Sequence, residues 1–175
     1  SLLMGKMMGT IVDTIGSPLS AAEVTLSIVF ASVTRGILIA IISTIIFSIF
    51  IDIKITSYLF FVIYLFLGSF LLGSAGIIAG LAADKFDEMA TLTNFIVVPL
   101  SFLSGTFYSI KKLPEFLQII SYYNPFFHII DGFRFAFIGN MDGSLKFGVM
   151  YLLILSILMW FACYYLYKKG YKIKS

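Results

Sequence analysis

Residues 58–83 read YLFFVIYLFLGSFLLGSAGIIAGLAA, an apolar run without a charged side chain. A helix needs about 20 largely apolar residues to cross the hydrocarbon core of a bilayer, and this run supplies them. Small residues recur along it at helical spacing: Ser69, Gly73, Gly76, Gly80 and Ala83. Gly76 and Gly80 form a G-x-x-x-G pair, which lets a second helix approach closely. Such pairs are frequent by chance. The whole stripe is what predicts tight helix packing, within the chain or across a dimer.

Three further apolar blocks flank this one, at 24–51, 95–110 and 147–167. The composition agrees with them: 60% of the 175 residues are hydrophobic, 12% are charged, and the mean hydropathy is +1.03. A soluble domain carries about 25% charge. A soluble chain of this length could not cover so much apolar surface with so little polar exterior. The fold class expected is all-α, a polytopic membrane protein. Residues 1–20 are weakly apolar, start at Ser1 and carry Lys6 and Asp13, so they lack the pattern of a cleaved signal. They are expected to be the internal start of a longer protein. Cys163 is the single cysteine, which excludes an internal disulfide and suits a small packing residue.

Sidedness follows from lysines. The tail at 168–175 carries Lys168, Lys169, Lys172 and Lys174, and such clusters stay in the cytoplasm. Counting back, 111–146 face outward, 84–94 inward, 52–57 outward and 1–20 inward, so both ends are expected to be cytoplasmic. Asp84, Asp87 and Glu88 outnumber Lys85 in the inner loop, but acidic residues count little in this rule.

Arg35 interrupts the first block. From Gly36 to Phe50 a helix rises only about 22 Å, so the span must begin before Arg35, leaving that charge a turn or two inside the cytoplasmic boundary. It either snorkels to the interface or faces inward to line a pathway or pair across helices. The third block is too short to cross, and Pro99 interrupts its hydrogen bonding. Beyond Lys111 and Lys112, the 113–139 region is apolar but broken by Pro114 and Pro125. Leu113, Phe116, Leu117, Ile120 and Tyr123 share one helical face. The region reads as a half-span followed by an outer re-entrant helical pair.

The chain has no G-x-x-x-x-G-K-[ST] phosphate loop and is not expected to hydrolyse ATP. A lone histidine, His128, excludes a metal site built from two or more histidines. His128 and Asp131 could share a helix face as a general-base dyad, but no nucleophile or oxyanion pattern accompanies them. Asp131 and Arg134, also three apart, could form a local ion pair, the more economical account. No catalytic, cofactor or metal residue is therefore expected.

Several ordered fragments carry a resemblance. KMMGTIVDTIGSPLS at 6–20 looks like the GT-I-x-D-L-L-x-x-P-L-S stretch of type-2 ABC exporter permeases. Arg35-Gly36 follows at a spacing where that family often has Arg-Gly. PLSFLSGTFY at 99–108, then Leu113-Pro114, Asn124-Pro125, DGFR at 131–134 and Gly139 resemble its later signatures. The nearest likeness is to the YadH-type bacterial inner-membrane transport permeases. The resemblance implies a six-span permease of which 1–175 is the later part, lacking the first two spans. It implies a dimer of permeases in the lipid bilayer, no nucleic acid, and separate ABC ATPase subunits that bind ATP and magnesium on the cytoplasmic side. It also implies that 1–20 is a coupling segment, with Gly9, Thr10, Asp13, Ser17 and Pro18 as candidates to dock the ATPase. Arg35, Asp131 and Arg134 are the intramembrane candidates, and Ser69, Gly73, Gly76 and Gly80 the packing residues. A membrane enzyme and a purely structural membrane protein are the alternatives.

Overall fold

The computed structural model describes residues 2–9, 18–52 and 54–171, and among them there are helices and no strands. The order is α1 (Leu2–Met8), α2 (Ala21–Phe50), α3 (Tyr58–Ala82), α4 (Phe86–Leu92), a π-turn (Thr93–Val97), α5 (Val98–Phe102), a 3-10 turn (Ile110–Lys112), α6 (Glu115–Tyr123), α7 (Pro125–Ile138) and α8 (Leu145–Lys168). Helices α2, α3 and α8 are long and apolar enough to cross a membrane.

A capping box starts α2. The Ser20 hydroxyl accepts the Glu23 N–H at 3.3 Å, and Glu23 Oε2 accepts the Ser20 N–H at 2.7 Å, satisfying two orphan donors at once. Along α2 the polar side chains bond back to their own helix: Thr25 to the Ala21 carbonyl, Ser32 to Ile28, Thr34 to Phe30 and Thr44 to Ala40. Lipid offers these hydroxyls no partner, so the preceding turn supplies one. The outer face shows Leu38, Ile42, Ile45 and Ile49 exposed, an apolar surface that suits hydrocarbon rather than water.

Helix α3 is the hub, packing on α2, α7 and α8. One core gathers Tyr64, Leu67 and Leu71 with Ile129 of α7 and Leu152 of α8. The second joins Ile77 and Leu81 to Val29 of α2 and Cys163 of α8, whose Sγ donates to the Ser74 carbonyl at 3.0 Å. The antiparallel connections give the bundle two ends. A tail end holds α1, the start of α2, the ends of α3 and α8, and α4. At the far end lie 51–52, 54–57, α6, α7 and the start of α8; there Ser57 N–H donates to Ala136 O at 3.0 Å and Thr56 Oγ1 to Phe137 O at 2.9 Å.

The third block differs from expectation. Helical structure starts early, at Phe86, and stops at Phe102, so 95–110 is not one element. Asp87 and Glu88 in the first turn favour that start through the helix dipole. Pro99 does not end the helix, because the π-turn intervenes: Val98 N–H reaches back to Thr93 O one residue before the ring that has no N–H to give. The stop comes at Leu103, and Gly105 then takes φ +75°. In α6 the expected face divides. Leu113, Leu117 and Ile120 are half-buried, Phe116 and Tyr123 are exposed, and Ser121 takes the buried position.

Candidate functional site

Polar groups concentrate at three levels of this apolar bundle. At the tail end, α1 lies across the end of α3. Leu3 is buried, and Leu2 packs with the Val29–Cys163 core. Lys6 Nζ donates to Leu81 O at 3.1 Å, Ala83 O at 2.9 Å and Asp84 Oδ1 at 2.9 Å. An ammonium has three donors, and here all three are used on the end of α3. Its side chain is only 11% exposed, so these partners replace lost water. Helix α1 then ends at Gly9, in the left-handed region at φ +73°, with its N–H on Lys6 O. Gly9 and Pro18 are exposed on either side of 10–17. Thr10, Asp13 and Ser17 lie outside the described residues.

The small-residue stripe fixes how α2 and α3 meet. A Cβ on Gly36 would land on the Ser69 hydroxyl, and one on Gly73 would crowd Ser32. Ser69 and Gly73 therefore face α2 at close approach. Gly80 faces Leu2 and Leu3 of α1, whereas nothing lies within 4 Å of a Cβ at Gly76. The stripe does not seat one partner helix. Gly76 opens onto a cavity of about 450 Å³ between α1, α2 and α3, which Arg35, Ser32, Ser69 and Gly73 also line.

That register corrects the depth of Arg35. Gly36 meets Ser69, and Ser32, four residues earlier, meets Gly73, four residues later. Arg35 is thus level with Phe70, about 18 Å of helix rise from either end of α3. It sits at mid-bundle rather than a turn or two inside one boundary, because α2 already begins at Ala21. Among the described residues Arg35 has no ion-pair or hydrogen-bond partner, and its side chain opens on the cavity.

Asp131 and Arg134 are brought together at the far end. Asp131, only 2% exposed, accepts Asp142 N–H at 2.9 Å, Gly143 N–H at 2.8 Å and Arg134 Nη1 at 3.3 Å. Arg134 also pairs with Asp142 at 3.1 Å and donates to the Gly105 carbonyl. The result is a clip that ties α7, the 103–112 loop and the 139–144 loop together. Held by these partners, the two charges do not line the cavity as Arg35 does. Burial pushes the Asp142 carboxyl up, but the Ser109 hydroxyl, Arg134, Lys111 and the Ile110 N–H outweigh it and hold Asp142 below the usual carboxylate range. His128 Nε2 lies 2.8 Å from Tyr122 O within a ring of Phe127, Phe147 and Tyr151. No hydrogen bond among the described residues joins it to Asp131, so the dyad geometry is not formed.

These residues can be set beside known proteins. The model for the family described as ABC-2 type transporter matches residues 1–138. The chain belongs to that family. It is accordingly a membrane permease subunit of an ABC transporter. Over 177 aligned residues it is 30% identical to the inner membrane transport permease YadH of Escherichia coli and, equally, to that of Shigella flexneri. The alignment covers 100% of this chain and 68% of each relative. No solved structure matches.

In this ABC-2 transporter chain, several contact residues escape a reading of the sequence. A Cβ on Gly132 would strike the Tyr64 ring, and one on Gly148 would crowd the Tyr64 hydroxyl, so these glycines seat the largest buried side chain between α3, α7 and α8. Lys6 and Asp142 are likewise decided by distant partners. Asn124 had a local signal: ahead of Pro125 it caps α7 by accepting Phe126 N–H at 3.0 Å, and its Nδ2 donates to Leu100 O at 2.6 Å.

Proposed function

We propose that this ABC-2 transporter subunit is the membrane half of a bacterial inner-membrane exporter, driven from its tail end by a separate ATPase. The observation that carries this reading is the gathering of α1, the exposed flanks Gly9 and Pro18, the charged 84–88 turn and Lys168–Lys169 at one end of the bundle. Lysines hold that end in the cytoplasm, where an ATPase works, and both ends of the chain lie there. Without a phosphate loop of its own, the subunit takes its work through contact. ATP and magnesium belong to that partner. Gly9, Thr10, Asp13, Ser17 and Pro18 form the docking stretch between α1 and α2.

The pathway side of the proposal rests on Arg35. A cation with no ion-pair partner among the described residues, at mid-bundle beside small residues and an apolar wall, suits an amphipathic substrate with an anionic group. A second copy of the permease completes the pathway, and the exposed apolar side chains Phe95, Ile96 and Phe102 are the surface available to it. Thiol labelling in spheroplasts tests the orientation. A cysteine at Lys111 is labelled by a membrane-impermeant reagent and one at Lys172 is not. The reverse pattern overturns the assignment of ends, and the coupling reading with it.

A further inference from the structure

The coupling stretch, on the reading just given, joins α2 directly through the Ser20 capping box. Its other flank is α1 (Leu2–Met8). A push on a helix with a loose seat would be absorbed by slip at that seat. What prevents slip is Lys6. Its ammonium bridges across more than 70 positions of sequence to Leu81 O in the last turn of α3, to Ala83 O at its C-cap and to the Asp84 carboxylate just beyond. Carbonyls at a helix C-terminus carry the negative end of the dipole, so a cation there is held by charge as well as by hydrogen bonds. Leu2 and Leu3 complete the seat against Gly80, where a Cβ would lie in van der Waals contact with them.

We propose that Lys6 is a positioning residue that locks α1 to the end of α3, so that movement delivered by the ATPase reaches the bundle hub. The chain then has two handles on one coupling stretch: the capping box draws on α2, and the Lys6 lock draws on α3. These two helices wall the cavity that Arg35 faces. A displacement between the handles changes the spacing of the Gly36–Ser69 and Ser32–Gly73 contacts, which have no slack. This inference rests on the coupling reading, and the experiment separates the two.

The full-length permease is assembled with its ATPase in phospholipid vesicles. Hydrogen–deuterium exchange across α3 is compared with and without ATP plus vanadate, and bound ATPase is measured in parallel. Lys6→Met is expected to keep the ATPase bound while the ATP-dependent change in α3 exchange is lost; Lys6→Arg keeps both. A covalent lock supplies the decisive arm. A Cβ at Gly80 would lie 3.5 Å from Leu2 Cβ, within the separation a disulfide spans. Lys6→Met made together with Leu2→Cys and Gly80→Cys is expected to regain the α3 response when oxidised and to lose it on reduction. Because the bond seats α1 before reduction, this arm stands even if Lys6→Met alone fails to fold. An unchanged α3 response in Lys6→Met, or no recovery on oxidation, overturns the lock while leaving the coupling reading in place. Loss of ATPase from Lys6→Met also overturns it, since Lys6 would then shape the docking surface itself. Absence of ATPase from the wild-type complex sinks the coupling reading and this inference together.

Discussion

Replacing Asp131 with alanine removes the centre of the far-end clip, and the cost can be worked from its contacts. The carboxylate accepts two backbone N–H groups, from Asp142 and Gly143, and the Arg134 guanidinium. Hydrogen bonds to a charged partner contribute about 1.5–3 kcal/mol each, and breaking a buried ion pair costs about 3–5 kcal/mol. Two facts discount that total. Arg134 is 24% exposed and keeps Asp142 and the Gly105 carbonyl as partners, and the 139–144 loop is only half-buried, so water can reach the freed N–H groups. The expected loss for Asp131→Ala is therefore about 2–4 kcal/mol. Asp131→Asn keeps the volume and one acceptor and is expected to lose less. Denaturant unfolding of the purified permease in detergent, with its far-end tryptophan-free loops followed by proteolysis, measures both. Combining Asp131→Ala with Arg134→Ala should cost less than the two single changes added together, because the residues act in one network. A single-variant loss under about 0.5 kcal/mol, or strict additivity, would show that the clip contributes nothing and that the geometry has been misread.

Three other outcomes follow from the packing and charge. Gly73→Leu, blocked by Ser32, is expected to destabilise the permease by about 1–3 kcal/mol, whereas Gly76→Leu, facing open space, stays within about 0.5 kcal/mol; equal thermal shifts would refute the register. Gly132→Ala forces its methyl into the Tyr64 ring and is expected to lower the thermal midpoint, while Gly9→Ala, with open space but a left-handed backbone, loses less. The depressed Asp142 carboxyl contributes stability that is present above its unfolded value and is lost as pH falls through its lower folded value. Acid titration of unfolding should therefore show a decline below the ordinary carboxylate range that Asp142→Asn flattens.

The long apolar helices were legible because hydropathy is a local property, and a run such as 58–83 admits little else. The break at Pro125 was legible for the same reason: a proline acts within a turn. Depth and partnership were not. Placing Arg35 needed the register of α2 on α3, which Gly36–Ser69 and Ser32–Gly73 set and no local pattern states. Pro99 was read as an interruption, yet a π-turn just before it lets the helix pass. The stripe from Ser69 to Gly80 was visible, but its division among α2, the cavity and α1 was not. Lys6 looked like one cation in a weakly apolar start; its role depends on acceptors far along the chain.

The central claim is that work enters through residues 9–18. Affinity capture of the full-length permease, scored for a co-purifying phosphate-loop ATPase at matched membrane levels, tests it most directly. The variants to compare are Asp13→Lys in the docking stretch and Glu115→Lys, an exposed far-end residue in the first turn of α6. Asp142 is unsuitable as that control because its carboxylate belongs to the clip. Charge reversal at a docking face repels or misorients a partner, while on a solvated face it changes little. The account predicts ATPase with the wild type and with Glu115→Lys, and a clear loss with Asp13→Lys. Equal ATPase on both variants, or none on the wild type, would contradict it.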